Sequence, residues 1–170
     1  MPRHLVAQIV DGELITHPRP SALHARVTSR LGMEVGNPFD RGRGGPGGWI
    51  VLDEPELHLG GDVLVPDLAG WRRERMPELP DSPAFDLAPD WVCEVLSPST
   101  RSLDRVGKMD VYGREEVSHV WLIDPEARLL EVFRLSAGQW LRINSWTGDA
   151  AVRAEPFEAI ELSLSSLWER

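Results

Sequence analysis

The chain has 170 residues, 42% of them hydrophobic, and a formal net charge of −9. That length suits one domain with a sizeable core, the apolar content argues against disorder, and no apolar run is long enough to span a bilayer. The acidity argues against a nonspecific DNA binder, which usually shows a basic face because its affinity depends on neutralising phosphates. A single cysteine, Cys93, rules out an intrachain disulfide, and the opening Met-Pro-Arg-His-Leu-Val lacks the apolar stretch of a secretion signal, so the expected location is the cytoplasm.

Residues 1–20 hold three prolines and read as an extended lead-in with a short strand at Leu5–Val10. Ser21 is a good helix cap, and Leu23, Val27 and Leu31 form a helical stripe, which predicts a helix over 22–33 closed by Gly36-Asn37-Pro38. The run Arg-Gly-Arg-Gly-Gly-Pro-Gly-Gly at 41–48 reads as a mobile loop. It lacks the Gly-Lys-Ser/Thr ending of a phosphate cradle and leads into a strand. A strand is predicted from 49 to 52, continuing past Pro55 through 56–59. Gly60-Gly61 then turns the chain into a strand over 63–71, followed by a surface loop over 72–89.

The segment 91–96, Trp-Val-Cys-Glu-Val-Leu, is apolar but for one acid and is expected at the centre of a sheet. Ser97-Pro98-Ser99-Thr100 is a helix start, with Pro98 near the first helical position. That helix is predicted to run to about Arg114, with Gly113 helping to end it. A strand over 117–124, a turn at Asp124-Pro125-Glu126-Ala127, a hairpin of 129–135 with 139–146, and a short helix near 163–168 complete the chain. The order describes a mixed α/β or α+β sheet with helices against it, in one domain over residues 1–170.

Two acids stand inside apolar sequence: Asp67, ending Asp62-Val63-Leu64-Val65-Pro66-Asp67, and Glu94. A carboxylate in a core-like strand is costly unless it is paired or binds a cation. If the two strands are neighbours, period-two alternation lets Asp67 and Glu94 converge on one ion, and oxygen ligands favour magnesium or manganese over zinc. The alternative is that Asp67 caps a turn after Pro66 and Glu94 is salt-bridged. Lys108 lies fourteen residues beyond Glu94 on the predicted helix, four residues after Asp104, which is the spacing of a surface ion pair. Arginine supplies nearly all the positive charge, however, and lysine alone can be tuned towards a base or orient a water. Arg101, Arg105 and the Arg72-Arg73-Arg75 run are candidate phosphate contacts or a solvated surface. His24, and more weakly Glu34, Glu54, Glu56 and His58, are further polar candidates. Cys93 alternates away from Glu94 and reads as a buried structural thiol, and the tryptophans read mostly as core, with some available for a homodimer interface.

Val65-Pro66-Asp67, then Pro89-Asp90 leading into Trp91-Val92-Cys93-Glu94-Val95-Leu96-Ser97-Pro98-Ser99-Thr100, then Asp104-Arg105-Val106-Gly107-Lys108-Met109-Asp110-Val111-Tyr112, and Val120-Trp121-Leu122-Ile123-Asp124-Pro125, together resemble the Uma2 family of the restriction-endonuclease-like, PD-(D/E)XK superfamily. The resemblance covers roughly residues 20–145. It implies an α-β-β-β-α-β core around a mixed sheet, Asp67 and Glu94 as metal ligands with the Val95 carbonyl as a further one, and Mg2+ or Mn2+ as cofactor. It also implies Lys108 as the catalytic lysine, displaced to the following helix because Leu96 stands where the superfamily pattern has it. The activity implied is metal-dependent hydrolysis of DNA phosphodiester bonds. A catalytically silent binding or assembly module, and hydrolysis of a small phosphoester, are the competing readings, and the acidic charge favours both.

Overall fold

The computed structural model describes Arg3 and residues 5–170; the first part of the predicted lead-in, residues 1, 2 and 4, lies outside the described residues. The chain opens with a hairpin, β1 (Leu5–Val10) and β2 (Glu13–Pro18), where sequence reading expects a single strand. The turn between them is Asp11-Gly12 with both residues at positive φ, the two-residue connection whose twist matches antiparallel strands. Helix α1 (Ala22–Val35) follows, capped by Ser21, whose hydroxyl accepts from the His24 backbone N–H at 3.2 Å. Gly36 does not close it. It stays right-handed, and a π-helical turn, Gly36–Asp40, carries the chain on. Backbone hydrogen bonds from Arg41, Arg43 and Gly47 back to this turn tie down the glycine-rich loop. Gly45 lies so close to Pro38 that a Cβ there would fall 2.4 Å from the proline's own, so the loop is more tightly packed than its composition suggests.

Next come β3 (Trp49–Asp53), β4 (Leu57–Leu59), β5 (Asp62–Leu64) and β6 (Leu68–Arg72). Two predictions fail here for one reason. The strand expected to pass Pro55 and the strand expected over 63–71 are each broken, and their halves belong to different sheets. A six-stranded sheet takes β3 and β6, with β7 (Trp91–Val95), β8 (His119–Asp124), β9 (Leu129–Ser136) and β10 (Gln139–Thr147), in the order β10-β9-β8-β7-β6-β3. A four-stranded sheet has the order β2-β1-β5-β4. Proline at 55 and 66 removes a ladder donor where each crossing occurs. In the large sheet only β7 and β8 are parallel, and β7 is buried along its whole length.

Helix α1 and the C-terminal segment, with β11 (Ala151–Val152), β12 (Leu162–Ser163) and helix α2 (Ser165–Trp168), cover one face of the large sheet. The four-stranded sheet covers the other, together with a helix over 101–114 that opens into a π-helical stretch at Leu103–Lys108 before its last turns, Met109–Arg114. That helix ends at Arg114, and Glu116, two residues on, takes the left-handed conformation. No helix among the described residues is long and apolar enough to cross a membrane.

Candidate active site

Strand β7 splits its side chains by alternation. Trp91, Cys93 and Val95 join the core under α1, while Val92 and Glu94 face the 101–114 helix. Asp67 is not inside a strand. It ends the Val65-Pro66-Asp67 crossover immediately before β6, one step beyond the Leu68–Cys93 register pair, and so arrives opposite Glu94. The two acids are laced together through backbone: the Asp67 N–H donates to Glu94 Oε1 at 3.3 Å, and the Val95 N–H donates to Asp67 Oδ2 at 2.7 Å.

Lys108 is the only lysine in the chain and is 3% exposed. Its Nζ lies 2.6 Å from Glu94 Oε2 and 3.4 Å from Asp104 Oδ1. The Asp104 pairing expected from i,i+4 spacing therefore exists, but inside the protein rather than on its surface. The π-helical stretch between these residues is the local reason. A π turn rotates the side chains that follow it relative to an α-helix, and such turns recur at functional sites. Tyr112, one turn on and fully buried, donates its hydroxyl to the same Glu94 oxygen at 3.1 Å. On the other side His24, from the first turn of α1, brings Nε2 to 3.3 Å from Asp67 Oδ1. Its Nδ1 is buried without a partner among the described residues.

The electrostatics are those of too many acids for the cations present. Burial pushes the Glu94 carboxyl up. Lys108 pulls it down, Asp104 and Asp67 push it up again, and the balance stands at about 8. Burial likewise raises Asp104. Burial alone would lower Lys108, but Glu94 and Asp104 outweigh it and hold the amine above its ordinary value, so it is a charged donor. Burial would lower His24, and the Asp67 carboxylate with the Val95 carbonyl outweighs it. Burial and the surrounding carboxylates hold the Tyr112 phenol well above its ordinary value, so it only donates. A carboxylate raised that far in a cluster of three acids is the signature of a place where another cation would be welcome. Among the described residues no three His, Cys, Asp or Glu side chains converge as a ready-made cage. Two carboxylates and one backbone carbonyl, with water or substrate supplying the rest, are the kind of set magnesium accepts. In that sense the residues fit a hard divalent ion.

The site opens into a cavity of about 440 Å³. Its floor is Asp67, Glu94, Asp104, Lys108 and His24. One wall is the Ser97–Thr100 loop and another is the β1–β2 hairpin, through Gln8, His17 and Arg19; Glu54 and Glu126 also reach the lining. Sequence reading missed Gln8, His17 and Arg19, although Asp-Gly between two alternating runs was the available signal. The other candidates stand apart. Glu56 and His58 form an exposed pair at 2.9 Å and Glu34 is exposed on α1. Burial pushes the Cys93 thiol well up, which suits a core residue. The arginines singled out as phosphate contacts already meet protein groups. Arg73 pairs with Asp40, Arg75 with Asp90, Arg101 with Asp124 and Arg105 with Glu131, while Arg72 lies 4.5 Å over the Trp49 ring.

A mixed six-stranded sheet with an acid near the end of a central strand, a second acid delivered beside it and a lysine on the helix that follows is a restriction-endonuclease-like arrangement. Within that class, the model of the family described as "Uma2: Putative restriction endonuclease" matches residues 2–165, and the chain belongs to this family. The fold also matches a solved structure described as "a putative nuclease belonging to DUF820 from Anabaena variabilis ATCC 29413". The TM-score is 0.79 over 96% of this chain and 89% of that one, at 22% sequence identity. No protein of curated function matches the chain.

Proposed function

We propose that this protein is a divalent-metal-dependent endonuclease of the cytoplasm that hydrolyses phosphodiester bonds in DNA, with Asp67, Glu94 and Lys108 as its catalytic residues. The observation that carries the reading is the convergence of these three side chains, from a crossover, a strand and a helix far apart in sequence, on one cavity in which negative charge is in excess. The Asp67 and Glu94 carboxylates and the Val95 carbonyl would hold magnesium or manganese, which would supply polarisation of the scissile phosphate and a lowered pKa for water.

The chain's own residues do the rest. Lys108 keeps its proton, so it orients the attacking water and offsets charge building on the phosphate, rather than removing a proton itself. Tyr112 and Lys108 fix Glu94 through one carboxylate oxygen and leave the other towards Asp67. His24 and the Val95 N–H fix Asp67.

One observation favours a second reading, a catalytically silent binding module. The Lys108–Glu94 pair is satisfied within the protein, and the arginines around the site are paired with acids. Calorimetric titration with magnesium or manganese, beside plasmid cleavage, separates the two. The nuclease reading expects saturable binding and nicking, both lost in Asp67→Asn. A folded wild type that neither binds metal nor cuts leaves the silent module.

A further inference from the structure

We infer that the β1–β2 hairpin makes the site selective for unpaired nucleic acid, a single strand or a strand end, and that Arg19 contacts the phosphate backbone of that strand as it leaves the cavity. This rests on the nuclease reading above and deepens it.

The first observation is that the hairpin is a fixed wall. Gln8 is 1% exposed, and its side chain joins three segments. Its Oε1 accepts from the Val65 N–H at 2.9 Å, on the crossover that delivers Asp67, and its amide lies 3.0 Å from His17 Nε2. With the amide donating there, the proton of His17 sits on Nδ1, which donates to the Pro18 carbonyl at 3.1 Å. Both ring nitrogens of His17 are then used in holding the wall. At the turn the Asp11 N–H donates to Asp62 Oδ1 at 2.7 Å, and Arg114 clamps both Asp11 and Asp62. The hairpin is thus bonded to the β5–β6 region from the middle of β1 to its turn.

The second observation is the size and depth of what the wall encloses. Glu94, Asp104 and Lys108 are each 3% exposed or less. They lie at the bottom of about 440 Å³, a volume in the small-ligand range. Walled by the hairpin and the Ser97–Thr100 loop, that floor favours a nucleotide freed from its stack over a phosphate on the outside of a duplex, as in enzymes that take a base out of the helix. The third observation is charge. Tight duplex binding commonly draws on about 6–10 phosphate contacts. Here the net charge is −9, and Arg73, Arg75, Arg101 and Arg105 are paired with carboxylates. Among the described residues Arg19 is the one arginine lining the cavity. It is exposed, donates to the Arg3 carbonyl, and has no carboxylate partner among the described residues. One cation at the mouth suits one strand.

The test uses the full chain and labelled DNA long enough to exceed the roughly 4–16 nucleotides a compact single-strand site covers. The forms compared are single strand, blunt duplex and tailed duplex. Binding is read by anisotropy with calcium, and cleavage with magnesium or manganese. Single strand and tails should bind about tenfold or more tighter than blunt duplex, with cuts confined to unpaired nucleotides. Arg19→Ala should weaken single-strand binding and lower its salt slope by about 0.7, the value of one phosphate contact, with an unchanged melting temperature. Equal binding and cutting of blunt duplex, or an unaltered salt slope in Arg19→Ala, overturns the inference while the nuclease reading stands. Hydrolysis of bis(p-nitrophenyl) phosphate without binding of any oligonucleotide also overturns it. Failure to bind or cut any of these ends both readings.

Discussion

On one face of the six-stranded sheet Phe157 meets four aromatic rings, those of Phe39, Trp49, Trp91 and Trp121, at centroid separations of 4.6, 4.8, 4.9 and 5.6 Å. On the other face Glu94, Asp104, Lys108 and Tyr112 are buried as deeply as those rings. The same strand, β7, supplies both, Trp91 to one side and Glu94 to the other. The aromatic face gains stability from area removed from water and needs no particular protonation state. The site face holds ions whose burial is favourable only while each keeps its partners. The site face has apolar packing of its own, with Leu57, Leu64, Trp71 and Val92 buried beside the ions, so the fold on that side does not rest on the charged cluster.

The sharpest way to break that comparison is to empty the aromatic face. Phe157→Ala removes the ring shared by all four contacts, and a buried Phe→Ala change costs about 3–5 kcal/mol. Denaturant melts should show that loss, while metal binding and cleavage per folded molecule stay as in the wild type. An equal loss of metal affinity would mean the faces are coupled. The mirror experiment is Lys108→Ala, where cleavage with magnesium or manganese should fall about a hundredfold or more. The melting temperature should fall less at pH 6 than at pH 8, because Glu94 takes up a proton in place of its lost partner. Cleavage equal to wild type would remove Lys108 from the mechanism. Tyr112→Phe is milder. It deletes one donor to Glu94 Oε2, a loss of about 0.5–1.5 kcal/mol in stability, and should lower metal affinity as Glu94 gains freedom. Unchanged calorimetry would make Tyr112 a packing residue only.

The two faces were not equally legible in the sequence. Periodicity alone placed α1 with its Ser21 cap, the continuous apolar strands β7 and β8, and the β9–β10 hairpin. The aromatic face follows from these, because alternation along β7 and β8 decides which tryptophans point to α1. Gly70 is legible only afterwards: a Cβ there would come within 3.2 Å of both Trp49 and Trp91. On the site face Glu94 stood out as an acid in an apolar run, and the family motif pointed to Lys108. What the sequence hid was the geometry that joins them. The largely apolar stretch from 63 to 71 reads as one strand, and only the competing demands of two sheets split it at Pro66 and deliver Asp67 from a crossover. Local propensity carries no mark of a π-helical stretch, so the inward turn of Asp104 beside Lys108 was out of reach. The Asp11-Gly12 hairpin, by contrast, had a local signal in its turn residues, and with it Gln8, His17 and Arg19 could have been placed at the site.

The smallest net effect should come from pH, because the two faces respond in opposite senses. Glu94 is raised by burial and its acidic neighbours, so the folded state holds a proton that the unfolded chain releases near its ordinary value. That contribution lowers stability as pH rises from about 4.5 towards 8, because over that window the unfolded state binds fewer protons. At the end of the aromatic face His119 is lowered by burial, against the pull of Glu155, and Glu155 is itself lowered, despite its own partial burial, by hydrogen bonds from His119 and Arg134. A lowered histidine makes the folded state reluctant to take the proton that the unfolded chain accepts, so stability falls as pH drops below about 6.5. Glu155 adds a further loss as pH falls below about 4.5. The opposed slopes should give the metal-free protein a shallow maximum between pH 5 and 7. Glu94→Gln removes one limb and not the other. Its melting temperature should hold from pH 6 to 8 where the wild type declines, while both proteins lose stability together towards pH 4. If the alkaline decline persists in Glu94→Gln, its origin lies elsewhere than in the buried acid, and the site face is less costly to the fold than its charges imply.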